Sequence, residues 1–393
     1  MERSELEALL SSRVLTAVDD EARPETPADV LARSTALRRA GFAPEEAAAI
    51  LTQAALRRRA RVKFGEFADR MLFTRAGLEQ ATRLDVAARH AARFRDAGAR
   101  LVADLGCGIG GDALALAAVG LRVRAVERDE VTAVLAQYNL APFPEAEVVV
   151  ADAEQVDLTG VDAAWIDPAR RTAGHADTRR VGAGDHSPSL AFVERVAARL
   201  PTGVKLSPAH DRADLPDDAE AQWVSDRGEV VELVLWRGGL EREGVRRAAL
   251  VSGPGGVAEL TAGADAEDEP VGDLGDHVHE PDGAVIRARL IGDLARATGT
   301  RPIGPGIAYL TGNGPAPSPF TTSFAIDAVL PFDKQRIRKE LHARRIGRLE
   351  IKKRGVDLDP ARFRTELGLR GDEEAVLLVT RTAGSRVALL CHR

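Results

Sequence analysis

Leu101-Val102-Ala103-Asp104-Leu105-Gly106-Cys107-Gly108-Ile109-Gly110-Gly111-Asp112 is the stretch on which the fold turns. Apolar and small residues leading to an acid read as a buried parallel strand that ends at Asp104. The glycines then let the chain turn sharply and bring backbone N–H groups close to a ligand. An Ala/Leu-rich helix follows, from about Asp112 to Val119. Strand, glycine loop and helix in that order form the mononucleotide-binding unit of a doubly wound sheet. Gly106, Gly108 and Gly111 also satisfy GxGxxG, so glycine spacing alone leaves a dinucleotide open. Asp104 discriminates better, because a carboxylate there repels pyrophosphate and can hold an ammonium group.

Outward from this stretch, strands and helices alternate as far as Ser252. Strand two ends at Glu127, and a helix runs from Glu130 to Asn139. Strand three is Ala146 to Val150, and strand four is Val161 to Ile166. A helix from Ser189 to Leu200 leads to strand five, Gly203 to Leu206. Glu229 to Trp236 and Arg246 to Val251 read as a final antiparallel pair, which makes seven strands. Open α/β sheets bind ligands at the carboxyl ends of their strands. Polar groups gather there: Asp152 after strand three, Asp167-Pro168-Ala169-Arg170 after strand four, and Lys205 in strand five. Asp152 reads as a ligand group or as an acidic cap on the next turn. Lys205 reads as a partner for substrate phosphate or for Asp167. Asn139 reads as a brace for the glycine loop. The polar segment from Thr172 to Ser189 reads as a pocket lining or as a surface loop.

The 393 residues are enough for two or three domains. The N-terminus lacks the apolar core of a signal peptide, and no apolar run reaches transmembrane length, so a cytoplasmic protein without a membrane partner is expected. Two cysteines, Cys107 and Cys391, make no metal cluster, and no metal is expected. Residues 1–98 read as a helical domain, with helices at Glu5 to Leu15, Thr26 to Ala40, Pro44 to Arg59 and Gly77 to Ala97. The basic run from Arg57 to Lys63 reads as a solvated helix end or as a phosphate-contacting patch. Residues 99–252 form the sheet domain. Residues 253–319 read as a flexible acidic loop, a helix from Ala284 to Thr298 and a linker. Residues 320–393 hold sixteen Lys and Arg against ten acids, although the whole chain carries a net −6. That local excess favours a polyanion partner, with Lys352-Lys353-Arg354 and Arg381 as the contact cluster.

Four blocks together carry a family resemblance: DLGCGIGGD at 104–112, IDPARR at 166–171, HEPDGAVIRA at 279–288 and LEIKKRG at 349–355. They resemble a bacterial family of class I S-adenosylmethionine-dependent methyltransferases with a C-terminal THUMP-like domain. More distantly, the chain is similar to the trimethylguanosine-synthase type of guanine-N2 RNA methyltransferase. The resemblance implies an α/β, Rossmann-like seven-stranded sheet, an N-terminal helical domain and a small α+β C-terminal domain. It implies S-adenosylmethionine as cofactor, held by Asp104, Gly106, Gly108, Gly110, Glu127 at the ribose and Asp152 at the adenine. Phe73, Thr74, Gln80 and Thr82 precede strand one, where such enzymes often close over the cofactor; Phe73 equally suits a core anchor.

Asp167 and the Pro168 carbonyl would accept the hydrogens of an acceptor amine and aim its lone pair. Ala169 and Arg170 stand where the family pattern has a second proline and an aromatic residue. The acceptor atom therefore stays open, with Arg170 stacking on a base or binding phosphate, and with Phe73, Tyr138 or Trp165 as other possible platforms. Arg171 and Lys205 would hold nearby phosphate. The implied activity is methylation of a base amino group in structured RNA, a tRNA or rRNA, gripped by the basic C-terminal domain. A methyltransferase acting on a small molecule or a protein, and a non-catalytic RNA-binding protein, are the alternatives.

Overall fold

The computed structural model describes residues 1, 3–21, 26–170 and 186–393, with the side chains of Pro27, Ala169, Arg170 and His186 outside that description. Arg171 and the polar segment that begins at Thr172 fall outside it as far as residue 185. The chain divides into two units, residues 1–206 with 234–242, and residues 207–233 with 243–393.

Helices open the first unit. Ser11 and Thr26 stop and restart the chain, because each side-chain oxygen accepts a backbone N–H of the following turn. The helices are α1 (Arg3–Leu9), α2 (Ser12–Asp20), α3 (Pro27–Arg39), α4 (Pro44–Phe64), α5 (Arg75–Gln80) and α6 (Leu84–Asp96). Leu6, Leu9, Val14, Val18, Ile50 and Leu72 form one buried cluster among them. The basic run on α4 turns inward. Arg57 is buried and donates to Met71 O at 2.9 Å and to Asp19 Oδ1 at 2.7 Å. Arg61 pairs with Asp69. Lys63 Nζ donates to the carbonyls of Leu78, Glu79 and Ala81 at 2.8, 2.8 and 2.7 Å. Arg61 and Lys63 tie α4 to the chain that follows it and Arg57 ties it to α2, while Arg58, Arg59 and Arg61 stay exposed, so the helix end is solvated in part.

The sheet of this unit contains β1 (Leu101–Leu105), α7 (Gly111–Ala118), β2 (Arg122–Glu127), α8 (Glu130–Leu140), β3 (Ala146–Val150) and β4 (Ala163–Ile166). A two-stranded ribbon, β5 (Ala169–Arg170) with β6 (His186–Ser187), precedes α9 (Leu190–Ala197) and β7 (Thr202–Leu206). The order β7-β4-β1-β2-β3 is parallel throughout. Strand order reverses at β1, so a crevice opens beyond its carboxyl end. Trp165 of β4 anchors the core: His90 stacks on it at 4.4 Å, and Trp236 lies 5.9 Å away. A Cβ at Gly203 would lie 2.7 Å from the Trp236 ring and 2.8 Å from the Trp165 ring, which accounts for a glycine there.

The second unit begins its regular structure with β8 (Glu220–Asp226), a strand absent from the sequence-based expectation. It is followed by β9 (Glu229–Arg237), whose last residues belong to the first unit, then β10 (Arg247–Gly253) and β11 (Gly256–Ala262). The expected antiparallel pairing of 229–236 with 246–251 does not form. β10 instead runs parallel to β8 and antiparallel to β11.

The acidic region is thus partly strand, and two of its other acids are tethered. Arg212 and Arg247 both bind Asp265, and Arg296 binds Glu269. The expected helix from Ala284 to Thr298 divides into α10 (Gly283–Arg287) and α11 (Ile291–Thr298), because Arg289 adopts a φ of 60° between them.

The remaining elements are β12 (His277–Pro281), β13 (Arg301–Pro302), β14 (Leu310–Gly312), β15 (Thr321–Pro331), α12 (Lys334–Ala343), β16 (Ile346–Lys353), α13 (Pro360–Leu367), β17 (Glu373–Arg381) and β18 (Arg386–His392). Their strands form one sheet in the order β13-β14-β12-β15-β18-β17-β16. Ile337 and Leu341 of α12 join Phe363 and Leu367 of α13 in one core with Leu377 and Leu390. Among the described residues, no helix is long and apolar enough to cross a membrane.

Candidate active site at the carboxyl edge of the parallel strands

The crevice beyond β1 holds a cavity of about 230 Å³, lined in part by Thr74, Gly77, Gln80, Asp104, Gly106, Gly108, Asp112, Glu127, Arg128, Asp152, Asp167 and Lys205. Residues from α5, the glycine loop and the ends of β2, β3, β4 and β7 therefore meet in one place. Gly106, Gly108 and Gly110 have φ values of 94°, 55° and 85°, the left-handed backbone that favours glycine. A Cβ at Gly106 would stand 3.2 Å from the Asp167 carbonyl, so the glycine loop and the end of β4 are in close approach. Gly110 is absent from the lining and sits against Leu140.

The carboxylates differ in their surroundings. Glu127 accepts the N–H of Gly108 at 3.1 Å and that of Asp129 at 2.9 Å, which fixes it against the glycine loop. Asp152 is exposed and lines the pocket, and its Oδ1 also accepts the Glu154 N–H at 2.9 Å, as in an acidic cap on that turn. Asp112, which carried no role in the sequence reading, accepts Thr82 Oγ1 at 2.7 Å and lies 3.3 Å from His90 Nδ1. Burial raises the Asp112 pKa, but the His90 hydrogen bond and the Lys205 charge outweigh it and hold this carboxyl below its usual range. Asp104 is 1% exposed, and its Oδ2 has no hydrogen-bond partner among the described residues. Burial first, then the charges of Asp112 and Asp167, push the Asp104 carboxyl well above its usual range, against the pull of Lys205.

Lys205 Nζ donates to Asp167 Oδ2 at 2.6 Å, to Thr82 Oγ1 at 3.1 Å and to Gln80 O at 3.4 Å. Of the two readings for Lys205, the geometry contains the ion pair with Asp167. Thr82 is buried behind the pocket wall and joins Lys205 to Asp112, whereas Gln80 is exposed at the rim. Pro168 is buried outside the lining, and the Arg170 side chain lies outside the described residues. The three aromatic residues considered as stacking platforms are elsewhere. Phe73 is fully buried against Phe64, Trp165 is in the core, and Tyr138 packs on the N-terminal helical cluster. Asn139 braces the loop as expected, donating to Ile109 O at 2.9 Å and to Leu72 O at 3.0 Å while accepting the Leu72 N–H at 2.7 Å. Arg128, absent from the sequence reading, enters the pocket and donates to Ser187 Oγ at 3.0 Å. Its only sequence signal is its place directly after Glu127.

Among the described residues, five carboxylates face two cations in this lining, a balance that suits a cationic ligand. Of the expected contact cluster of the C-terminal region, Lys353 and Arg381 are exposed, whereas Lys352 and Arg354 are engaged. Lys352 and Arg354 bind Glu280 at 2.6 and 3.5 Å, and both are only half exposed. Arg336, Arg338 and Lys339 of α12 and Arg364 of α13 are exposed and carry no ion pair among the described residues.

A family model described as THUMP domain-like matches residues 321–393, and a domain of unknown function, DUF8688, matches residues 2–60. Two proteins from Mycobacterium tuberculosis strains, CDC 1551 / Oshkosh and ATCC 25618 / H37Rv, are each 36% identical over 341 residues, covering 84% of this chain and 92% of theirs. Both are described as uncharacterized S-adenosylmethionine-dependent methyltransferases. A crystal structure of a candidate methyltransferase from Porphyromonas gingivalis W83 aligns with a TM-score of 0.73 at 22% identity, over 97% of this chain and 98% of that one. The pocket fits the cofactor these relatives name: S-adenosylmethionine carries an ammonium and a sulfonium, and Asp104 presents a buried carboxyl oxygen that no donor among the described residues satisfies. The chain, with its doubly wound sheet and THUMP-like C-terminus, belongs to this family of S-adenosylmethionine-dependent methyltransferases.

Proposed function

We propose that this methyltransferase modifies a base amino group of structured RNA. The observation that carries the reading is Asp167, which stands at the carboxyl end of β4, lines the pocket and is held by Lys205. The bound cofactor supplies a methyl group on a positively charged sulfur, ready for in-line transfer. Asp104 meets the cofactor's ammonium, Glu127 its ribose hydroxyls and Asp152 its adenine, while Gly106, Gly108 and Gly110 let the backbone come close. Gln80 closes the rim, and Thr82 supports Lys205 from behind.

An amine attached to an aromatic base is a weak nucleophile, so placement must supply much of the rate. Asp167, with the Pro168 carbonyl, accepts the amine hydrogens and directs the nitrogen lone pair at the methyl group. Lys205 keeps the Asp167 carboxylate charged and oriented, and that carboxylate can take the proton the methylated amine releases. Arg170 takes the place of the missing aromatic platform and stacks on the base.

We assign residues 99–252 to transfer and residues 320–393 to RNA grip, and the THUMP-like match supports the second assignment. The unpaired bases on α12 and α13 are the surface for phosphate, in place of the Lys352 cluster. A tRNA or an rRNA fits equally.

The test is transfer of a radiolabelled methyl group from S-adenosylmethionine into total RNA from a strain lacking the gene, followed by digestion to nucleosides. A labelled N-methylated guanine or adenine is expected, and Asp167→Asn should remove it while cofactor binding persists. No label in RNA, with cofactor binding intact, would move the assignment to a small-molecule or protein acceptor.

A further inference from the structure

We infer that Asp104 carries a proton until the cofactor arrives, and that docking of the cofactor's ammonium group expels this proton to solvent. The other pocket carboxylates each have a partner. Asp112 has Thr82 and His90, Asp167 has Lys205, and Glu127 has two backbone N–H groups. Asp152 is exposed to water and has the Glu154 N–H. Asp104 is 1% exposed, and its Oδ2 meets no donor among the described residues.

Among the described residues, the ammonium that acts on Asp104 is that of Lys205, which is engaged with Asp167. Lys205 Nζ donates to Asp167, Thr82 and Gln80 at 2.6, 3.1 and 3.4 Å, and acts on Asp104 through its charge. Among the described residues, a charged Asp104 would thus sit out of water beside Asp112, Asp167 and Glu127, with the charge of Lys205 in its favour. An isolated buried carboxylate relieves this by taking a proton. The same factors raise the Cys107 thiol on the adjoining loop, so that group contributes no compensating charge change. When an ammonium docks against Oδ2, the carboxylate gains the partner it lacks, the O–H bond breaks and the proton leaves to bulk water.

Cofactor affinity should therefore rise with pH, by up to about tenfold per pH unit below the Asp104 pKa, because one proton is displaced per ligand bound. The inference rests on the proposed placement of the ammonium beside Asp104, and one experiment separates the two. S-adenosylhomocysteine, which has the same ammonium and no transferable methyl group, is titrated calorimetrically into the full chain at about pH 6.5, where a free amino group is protonated. The titration is repeated in buffers of different ionisation enthalpy, and the dependence of the observed heat on that enthalpy counts the protons released. The same series is run with 5′-methylthioadenosine, which lacks the amino-acid part, and with Asp104→Asn.

Release of about one proton is expected with S-adenosylhomocysteine and close to none with 5′-methylthioadenosine or with Asp104→Asn. Absence of proton release by the native chain with S-adenosylhomocysteine overturns the inference. In that event the variant reports on the placement alone: weakened binding by Asp104→Asn keeps the ammonium beside Asp104, and undiminished binding removes it. Equal release with both ligands also overturns the inference, since the proton would then come from a group the ammonium does not touch.

Discussion

Lys205 Nζ stands 2.6 Å from Asp167 Oδ2, and Thr82 Oγ1, 3.1 Å away, connects the same ammonium to Asp112. Thr82 has one hydrogen and gives it to Asp112, so it can only accept from Lys205. The direction of each of these bonds is fixed by the hydrogens available. Lys205→Met should lower the single-turnover transfer rate by about a hundredfold, the scale of misplacing a reacting group. Cofactor affinity should be kept or raised, since a positive charge leaves a site for a cation. Single-turnover transfer and calorimetric titration measure the two quantities, and an unaltered rate in the variant would remove Lys205 from the mechanism.

Asn139 is a second fixed point. Asn139→Leu keeps the volume but strands the Leu72 N–H, the Leu72 carbonyl and the Ile109 carbonyl in the interior. A loss of about 2–4 kcal/mol in unfolding free energy is expected, measured by urea titration. Weaker cofactor binding should accompany it, because Ile109 belongs to the glycine loop.

Gly203 tests the tryptophan core. Gly203→Ala introduces a methyl group 2.7 Å from one indole and 2.8 Å from another, both on buried side chains with little room to withdraw. The expected cost is about 1–3 kcal/mol, seen as a lowered melting temperature. A variant of unchanged stability would mean that the two rings repack freely.

His279 predicts a pH dependence in the second unit. It is fully buried with Nδ1 2.9 Å from Ser323 Oγ, and burial, followed by the neighbouring His277, pushes its pKa down to about 4. An unfolded histidine titrates near 6.5. The unfolded chain thus binds the extra proton first, so this contribution is complete above about pH 6.5 and is lost as pH falls toward 4. The loss should not exceed about 3 kcal/mol. Urea melts from neutral pH to about pH 4.5 should show a shallower decline for His279→Gln than for the native chain; parallel declines would assign the acid sensitivity to other groups.

The parallel strands β1 to β4 and β7 were readable because they are short apolar runs closed by turn residues. β8 was not, since Glu220, Gln222, Ser225 and Asp226 give it the look of a polar loop although all four are buried. Its polar groups find partners through the tertiary fold, for example Ser225 with Asp282, and no local pattern announces that. The same difficulty affects charge. Lys352 and Arg354 look like an open basic cluster, yet both pair with Glu280, more than seventy residues earlier in the chain. Arg57, Arg61 and Lys63 likewise resemble a patch until their carbonyl and carboxylate partners are seen. In the site, the acids at strand ends were legible from spacing, whereas the row Lys205–Thr82–Asp112–His90 joins four separate elements and was not.

The clamp by which Lys63 gathers the carbonyls of Leu78, Glu79 and Ala81 has a consequence for dissecting the protein. Gln80 and Ala81 are part of the pocket wall, together with Thr74 and Gly77, and all four precede the first strand. The helix that carries Lys63 starts at Pro44, inside the region matched by DUF8688, and continues past it. A fragment cut at residue 99, where the sequence invites a boundary, would keep every glycine of the nucleotide loop and still lose one side of the vessel. Trimming the front of the chain is therefore an operation on the cofactor site itself, and a shortened protein that fails to bind would say nothing about the residues it retains.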